Sequence, residues 1–185
     1  MQDVLSREFV IFDVETTGLS AAGGDRMVEI AALKVKDLKA VDRFHSMINP
    51  ERSISPGAYE VNRISEAMLV DAPRSYEILP TFLKFLGDAT IVGHNISFDL
   101  GFLRNELDLA GFLPKKPFSA LDTLRISRRV MPHLRRHPLW FVANALGIER
   151  KQSHRAMADV EMTFEVFEKL IYLARKQNML AEIIS

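Results

Sequence analysis

The stretch Phe9-Val10-Ile11-Phe12-Asp13-Val14-Glu15 decides the fold. It is apolar on both alternating faces up to Phe12, the pattern of a central strand covered on two sides. Residues two apart in a strand share a face, so Asp13 and Glu15 project together from its end, on the face of Phe9 and Ile11. An Asp-x-Glu pair by itself is a weak signal, usually solvated. Here a buried strand carries the two acids out of the core, where unpaired anions are costly and a bound divalent cation is the usual remedy.

Two more strands follow at hairpin-like distances, Met27 to Val35 and Val41 to Ile48, which gives three antiparallel strands. Pro50 and the run Ser55-Pro56-Gly57 end that unit. Ile78, Leu79, Phe82, Leu83 and Leu86 recur at helical spacing over Ser75 to Leu86. Thr90-Ile91-Val92 reads as a buried strand, followed by a helix from about Ser97 to Ala110. Helices near 122–131 and 139–146 precede a long amphipathic helix, roughly Ala156 to Gln177. Strands first, then alternation with helices, argue one α/β domain with a mixed sheet over the 185 residues.

Composition narrows the chemistry. Lys+Arg and Asp+Glu both number 24, which excludes a uniformly basic nucleic-acid coat. The charge is nonetheless segregated: residues 1–111 hold 11 basic against 17 acidic residues, and residues 112–137 hold seven basic residues against Asp122 alone. The seven are Lys115, Lys116, Arg125, Arg128, Arg129, Arg135 and Arg136. An acidic body beside a basic segment fits an anionic ligand held next to a cation site, and equally a solvated helix face. There is no cysteine, so a disulfide framework, a thiolate zinc site and a cysteine nucleophile are excluded. No apolar run approaches a membrane span and the start is no signal peptide, so a cytoplasmic protein without a membrane partner is expected.

Two further polar elements join the first. Gly93-His94-Asn95-Ile96-Ser97-Phe98-Asp99 runs from a strand end into a helix, with Asn95 or Ser97 as N-cap and Asp99 in the first turn. His154-Arg155-Ala156-Met157-Ala158-Asp159 places Asp159 in the first turns of the last helix and His154 in the polar loop that includes Lys151-Gln152-Ser153. A solvent-accessible histidine suits proton abstraction near neutrality. Together these elements offer four carboxylates, one imidazole and no thiolate. Hard oxygen donors suit Mg²⁺ or Mn²⁺, and two such ions about 3.5–4 Å apart form the clamp for in-line phosphoryl displacement.

With these motifs the chain resembles the DEDDh exonucleases of the DnaQ-like group. FDVETTGL matches the first family motif, HNISFD the second and HRAMAD the third, in order and separation, over about residues 7–172. It is most similar to the exonuclease domains of bacterial DNA polymerase III, including DRMVEIAALKV, INPERSISP and the LDTL around Asp122. The resemblance implies an RNase H-like fold, with a five-stranded mixed sheet of three antiparallel strands and then parallel ones, flanked by helices. It implies 3′→5′ hydrolysis to nucleoside monophosphates with two Mg²⁺ or Mn²⁺ ions held by Asp13, Glu15, Asp99 and Asp159. His154 would be the general base. Thr16, Thr17 and Gly18 would pass close to the terminal nucleotide, Leu19 would pack on its base, and Val61, Asn62 and Phe98 would line its site.

The expected substrate is single-stranded or frayed DNA, in proofreading or repair, with RNA or short oligonucleotides as the alternative and a DNA polymerase as a possible partner. A non-catalytic module that binds nucleic acid or a polymerase is the rival from another class, disfavoured by the intact acidic set. Oligomeric state is left open. The remaining polar and aromatic residues have structural readings. Asp122 caps a helix, His94 is a hydrogen-bonded near-core residue, and His133 and His137 belong to a basic surface. Trp140, Phe141, Ala145 and Leu146 form one core-facing stripe rather than a base-stacking platform, and Phe164, Phe167, Leu170 and Ile171 are likewise a packing stripe.

Overall fold

The computed structural model describes residues 7–112, 116–149 and 154–184, so Lys115 and the segment Lys151-Gln152-Ser153 lie outside the described residues. Strand β1, Phe9–Thr16, is the centre of a five-stranded sheet in the order β3-β2-β1-β4-β5. It pairs antiparallel with β2, Met27–Lys36, which pairs antiparallel with β3, Lys39–Met47. On its other side β1 runs parallel to β4, Thr90–Gly93, and β4 runs parallel to β5, Ala120–Asp122. The C-terminal ends of β1, β4 and β5 therefore meet at one edge, where open α/β sheets bind ligands.

The helices are α1 (Pro56–Asn62), α2 (Glu66–Leu69), α3 (Ser75–Leu86), α4 (Ser97–Leu109), α5 (Thr123–Val130), α6 (Leu139–Ala145), α7 (Ala156–Lys176) and α8 (Leu180–Ile184). Alternation along β1 divides the core in two. Phe9 and Ile11 pack with Val142, Val160, Phe167 and Leu170 of α6 and α7, and Phe9 meets Phe167 edge-on at 5.2 Å. Val10, Phe12 and Val14 pack on the opposite face with Leu79, Phe82, Leu100 and Leu103 of α3 and α4. The strand is covered on both sides, and Asp13 and Glu15 lie on the α7 face.

Several local expectations are corrected. The run Ser55-Pro56-Gly57 does not merely end the hairpin unit: it opens α1, with Pro56 at the first helical position and the Ser55 hydroxyl accepting from the Ala58 amide at 3.2 Å. Proline suits that position because its missing N–H would have no helical partner there. Neither Asn95 nor Ser97 caps α4. Ile96 is the N-cap without a side-chain bond, while Asn95 takes a left-handed φ of 65° and its amide donates to Asp122 Oδ1. The helix expected near 122–131 is present as α5, capped by Asp122 accepting from the Leu124 amide, and it is preceded by a three-residue strand, β5, that the residue pattern did not show.

On α6 the buried face is Leu139, Val142 and Ala143, while Trp140 is 41% exposed and Ala145 is exposed. A seven-residue helix has room for one apolar stripe towards α7, and Trp140 falls outside it. His137 is more than a surface residue, since its Nδ1 pairs with Ser127 Oγ and its carbonyl accepts from His94 Nε2 at 2.8 Å. Among the described residues no helix is long and apolar enough to cross a membrane.

Candidate active site

Asp13, Glu15 and Asp159 converge at the end of β1. Each offers a carboxylate oxygen, and those oxygens lie within 4.8 Å of one another. The first two arrive by the two-residue strand period. Asp159 comes from the first turns of α7, which packs across that same face. Asp99 approaches from the other side, on the first turn of α4, and its Oδ1 accepts from the Val14 amide at 3.1 Å. It is thereby fixed to the main chain between the two β1 acids.

Electrostatics marks the cluster as strained. Burial, then the charges of Asp99, Glu15 and Asp159, pushes the Asp13 carboxyl well above its usual range. Burial, then Asp159 and Glu29, pushes Glu15 up to about 8. Burial raises Asp99 to about 7 despite the hydrogen bond from Val14. Carboxylates crowded in this way ionise together only if a cation joins them, and an all-oxygen donor set fits a hard divalent ion. The residues present therefore fit a hard divalent cation.

A cleft of about 650 Å³ opens beside the acids. Glu15, Thr16, Gly18, Leu19, Val61, Asn62 and Phe98 are among its lining residues. Leu19 is 87% exposed at its rim, and Phe98 lies one residue before Asp99. Thr17 is fully buried behind the wall, its hydroxyl bonded to Asp25 and to the Arg26 amide. Asn62 lines the cleft, yet both ends of its amide serve the protein: Nδ2 donates to Thr16 O and Oδ1 accepts from the Ile64 amide. A Cβ on Gly18 would sit 2.4 Å from Asp25 Oδ2, so only glycine lets this turn close on Asp25. His154 stands just before α7, partly exposed, with a left-handed φ of 48°. It is not among the three clustered metal-type ligands.

Sequence reasoning missed the residues that hold this arrangement. Glu29 is 1% exposed on β2 directly opposite Glu15. It accepts from Arg155 Nε and Nη2 at 3.1 and 3.0 Å, from the Ala156 amide at 3.2 Å, and pairs with His45 Nε2 at 2.7 Å. One carboxylate thus ties the start of α7, and with it His154 and Asp159, to the sheet. The signal available was a lone acid inside the apolar run Met27-Val28-Glu29-Ile30-Ala31. Glu106 does similar work on α4: fully buried, it takes two 2.8 Å bonds from Arg26 and one from the Met27 amide.

Comparison with known proteins places the geometry. The RNase_T family, described as exonuclease, matches residues 10–167. The chain is 39% identical over 170 residues to the PolC-type DNA polymerase III of Staphylococcus haemolyticus (strain JCSC1435), covering 92% of this chain and 12% of that one. Against the Staphylococcus aureus protein of the same name it is 38% identical over 181 residues, covering 97% and 12%. The chain thus spans about 12% of the length of these curated relatives. Among solved structures, exonuclease X in complex with 5′-overhanging duplex DNA superposes with a TM-score of 0.72 at 29% identity, covering 95% of this chain and 96% of that one. Escherichia coli exonuclease I in complex with a dA16 oligonucleotide shares the fold, with a TM-score of 0.81 at 21% identity over 95% and 42% of the two chains. The chain belongs to the RNase_T family of exonucleases and has the DnaQ-like, RNase H-like fold of that group.

Proposed function

We propose that the chain is a two-metal-ion 3′→5′ exonuclease that removes nucleoside monophosphates from single-stranded or frayed DNA ends, in the setting of replication proofreading or repair. The observation that carries this reading is the convergence of Asp13, Glu15 and Asp159 oxygens within 4.8 Å, with Glu15 also lining the cleft. Similarity to PolC-type polymerases and to a nuclease seen with overhanging DNA favours DNA over RNA, and a polymerase as partner.

Asp13, Glu15 and Asp159, with Asp99 alongside, would hold two Mg²⁺ or Mn²⁺ ions, whose chemistry is to neutralise the charge that builds on a phosphodiester in displacement. The chain's own residues supply the rest. Leu19 and Phe98 flank the cleft and grip the terminal base, while the main chain at Thr16 to Gly18 runs alongside the sugar. Asn62 keeps its amide on Thr16 O and so holds that wall in place. His154 takes the proton of the attacking water on a ring nitrogen. The water oxygen bonds to phosphorus as the P–O3′ bond breaks, the penultimate 3′-oxygen takes a proton from solvent, and a nucleoside 5′-monophosphate leaves.

The test is digestion of matched 5′-labelled and 3′-labelled DNA and RNA oligomers with Mg²⁺ or Mn²⁺. A stepwise ladder from 5′-labelled DNA and immediate release of labelled mononucleotide from the 3′ end are expected. His154→Ala should lower the rate by about 10²–10⁴-fold, the usual worth of a general base. Internal fragments, faster cleavage of RNA, or activity that survives EDTA would each sink the reading.

A further inference from the structure

Helix α6 turns Leu139, Val142 and Ala143 into the core and leaves Trp140 on the outside, 41% exposed beside the partly exposed Phe141. The two rings meet edge-on, 5.5 Å apart at 82°. The Arg136 guanidinium lies over both, 4.7 Å from the Trp140 centroid and 5.0 Å from that of Phe141. An accessible indole combined with arginine is the chemistry by which proteins stack unpaired bases without regard to sequence.

Charge selects the same ligand. No Asp or Glu occurs between Asp122 and Glu149, and that interval carries Arg125, Arg128, Arg129, Arg135 and Arg136, of which Arg129 pairs with Glu182 of α8. Arg135 and Arg136 are exposed. A protein partner would have to bring its own acids to such a surface, whereas a nucleic acid strand supplies a phosphate at every step.

The fold sets this cluster on the catalytic rim. Strand β4 runs parallel to β1 with Val92 beside Ile11, so its last residue, Gly93, falls beside Phe12, one residue before Asp13. His94 follows at once, and its Nε2 donates to the carbonyl of His137, one residue before the Pro138 cap of α6. Adjacent strands are about 4.8 Å apart. The start of α6, with Trp140 as its second residue, is thereby tied to the same end of the sheet that carries Asp13.

From this placement we infer that Trp140 and Arg136 form a stacking subsite for an unpaired nucleotide upstream of the one being removed from single-stranded DNA. The indole takes the base, Phe141 braces it, and Arg135 and Arg136 face the phosphates. The inference rests on the exonuclease reading above and adds where the strand runs before it reaches the acids.

Trp140 is the single tryptophan of the chain, so its fluorescence reports on this surface alone. With turnover stopped by EDTA, a dT12 oligomer should quench it in a saturable titration, and a dT2 dinucleotide should not. With Mg²⁺ restored, Trp140→Ala should raise KM for dT12 about tenfold or more, the range expected for one lost stack. Its kcat, and its hydrolysis of dT2, should match wild type, and Trp140→Phe should recover most of the loss. Unquenched fluorescence with a dT12 that is still degraded overturns the subsite. Equal losses on dT2 and dT12 also overturn it, as does fluorescence that follows protein concentration rather than DNA, which assigns the surface to a second copy of the chain. If the wild type hydrolyses neither oligomer, the exonuclease reading fails, and the quenching titration still decides the subsite.

Discussion

Glu15 and Glu29 face each other across β1 and β2, yet they live in opposite electrostatic worlds. Burial raises both. For Glu29 the hydrogen bonds from Arg155, His45 and the Ala156 amide outweigh it and hold the carboxyl below its usual value. For Glu15 a hydrogen bond from the Asn62 amide is outweighed by burial and by Asp159, Glu29 and Asp99, and the carboxyl is pushed up to about 8. One acid has been given its cation by the fold. The other has been left among carboxylates with no cation of the protein's own offsetting it. The difference separates an acid that holds the fold together from one that the proposed function puts to work, though the two sit opposite each other on neighbouring strands.

The sharpest way to break this contrast is the same substitution on each partner. Glu15→Gln removes an acid that must take up a proton to fold without metal, so turnover should fall to near background while the metal-free protein at neutral pH melts higher than wild type. Glu29→Gln removes the acceptor of a charged network and should cost about 1.5–3 kcal/mol. In a domain of this size that lowers Tm by roughly 3–12 °C. Activity should fall too, because α7 and its Asp159 lose their tie to the sheet. Melting shifts of the same sign for both variants, read by circular dichroism in EDTA, would mean that the two carboxylates do not differ in the way described.

The contrast has a pH signature. In the metal-free protein Glu15 and Asp99 hold protons to about 8 and about 7, against 4.5 and 3.8 as ordinary values. Between those limits the folded state binds more protons than the unfolded chain, so stability falls as pH rises. It is fully present below about pH 4, and these two groups have given it up by about pH 8. Divalent ions compete with those protons and bind better as pH rises. The Tm difference between Mn²⁺-loaded and EDTA-treated protein should therefore widen from pH 5 to pH 8. A constant or shrinking gap would detach the raised carboxyls from ion binding.

Much of this was legible in the sequence because it rests on short-range geometry. The alternation of Phe9 to Val14 gave a doubly covered strand, and the two-residue period then put Asp13 and Glu15 on one face. Asp99 and Asp159 were placed in first helical turns by the strand-to-helix and loop-to-helix transitions before them. Other features depend on pairings that no local pattern carries. Glu29 becomes a clamp only because register sets it opposite Glu15 and beside the start of α7. Strand β5 has three residues, too few to display a period, and is specified by the free edge of β4. Ser55-Pro56-Gly57 reads as a breaker unless the chain continues into a helix, where its proline becomes a starter. On α6, one turn of apolar residues fits two faces equally well, and packing against α7 chose the one without Trp140.

Asp122 gives the smallest effect and bounds the comparison from below. It too is an acid at the catalytic edge, ending β5 beside Gly93. Its Oδ1 accepts from the Leu124 amide and from the Asn95 amide, both at 2.9 Å, so it caps α5 and steadies the left-handed turn that leads to Phe98 and Asp99. Unlike Glu29 it satisfies neutral donors and is partly exposed, so water can replace much of what it supplies. Asp122→Ala should then cost about 1 kcal/mol, the usual worth of a cap, and lower Tm by about 2–4 °C. Asp99 keeps its own anchor on the Val14 amide, so the loss in kcat should stay below the loss for Glu29→Gln. Asp122→Asn keeps an acceptor oxygen and should lie close to wild type in both measurements. A loss of activity as large as that of Glu29→Gln, with little change in Tm, would instead make Asp122 a fifth member of the acidic site.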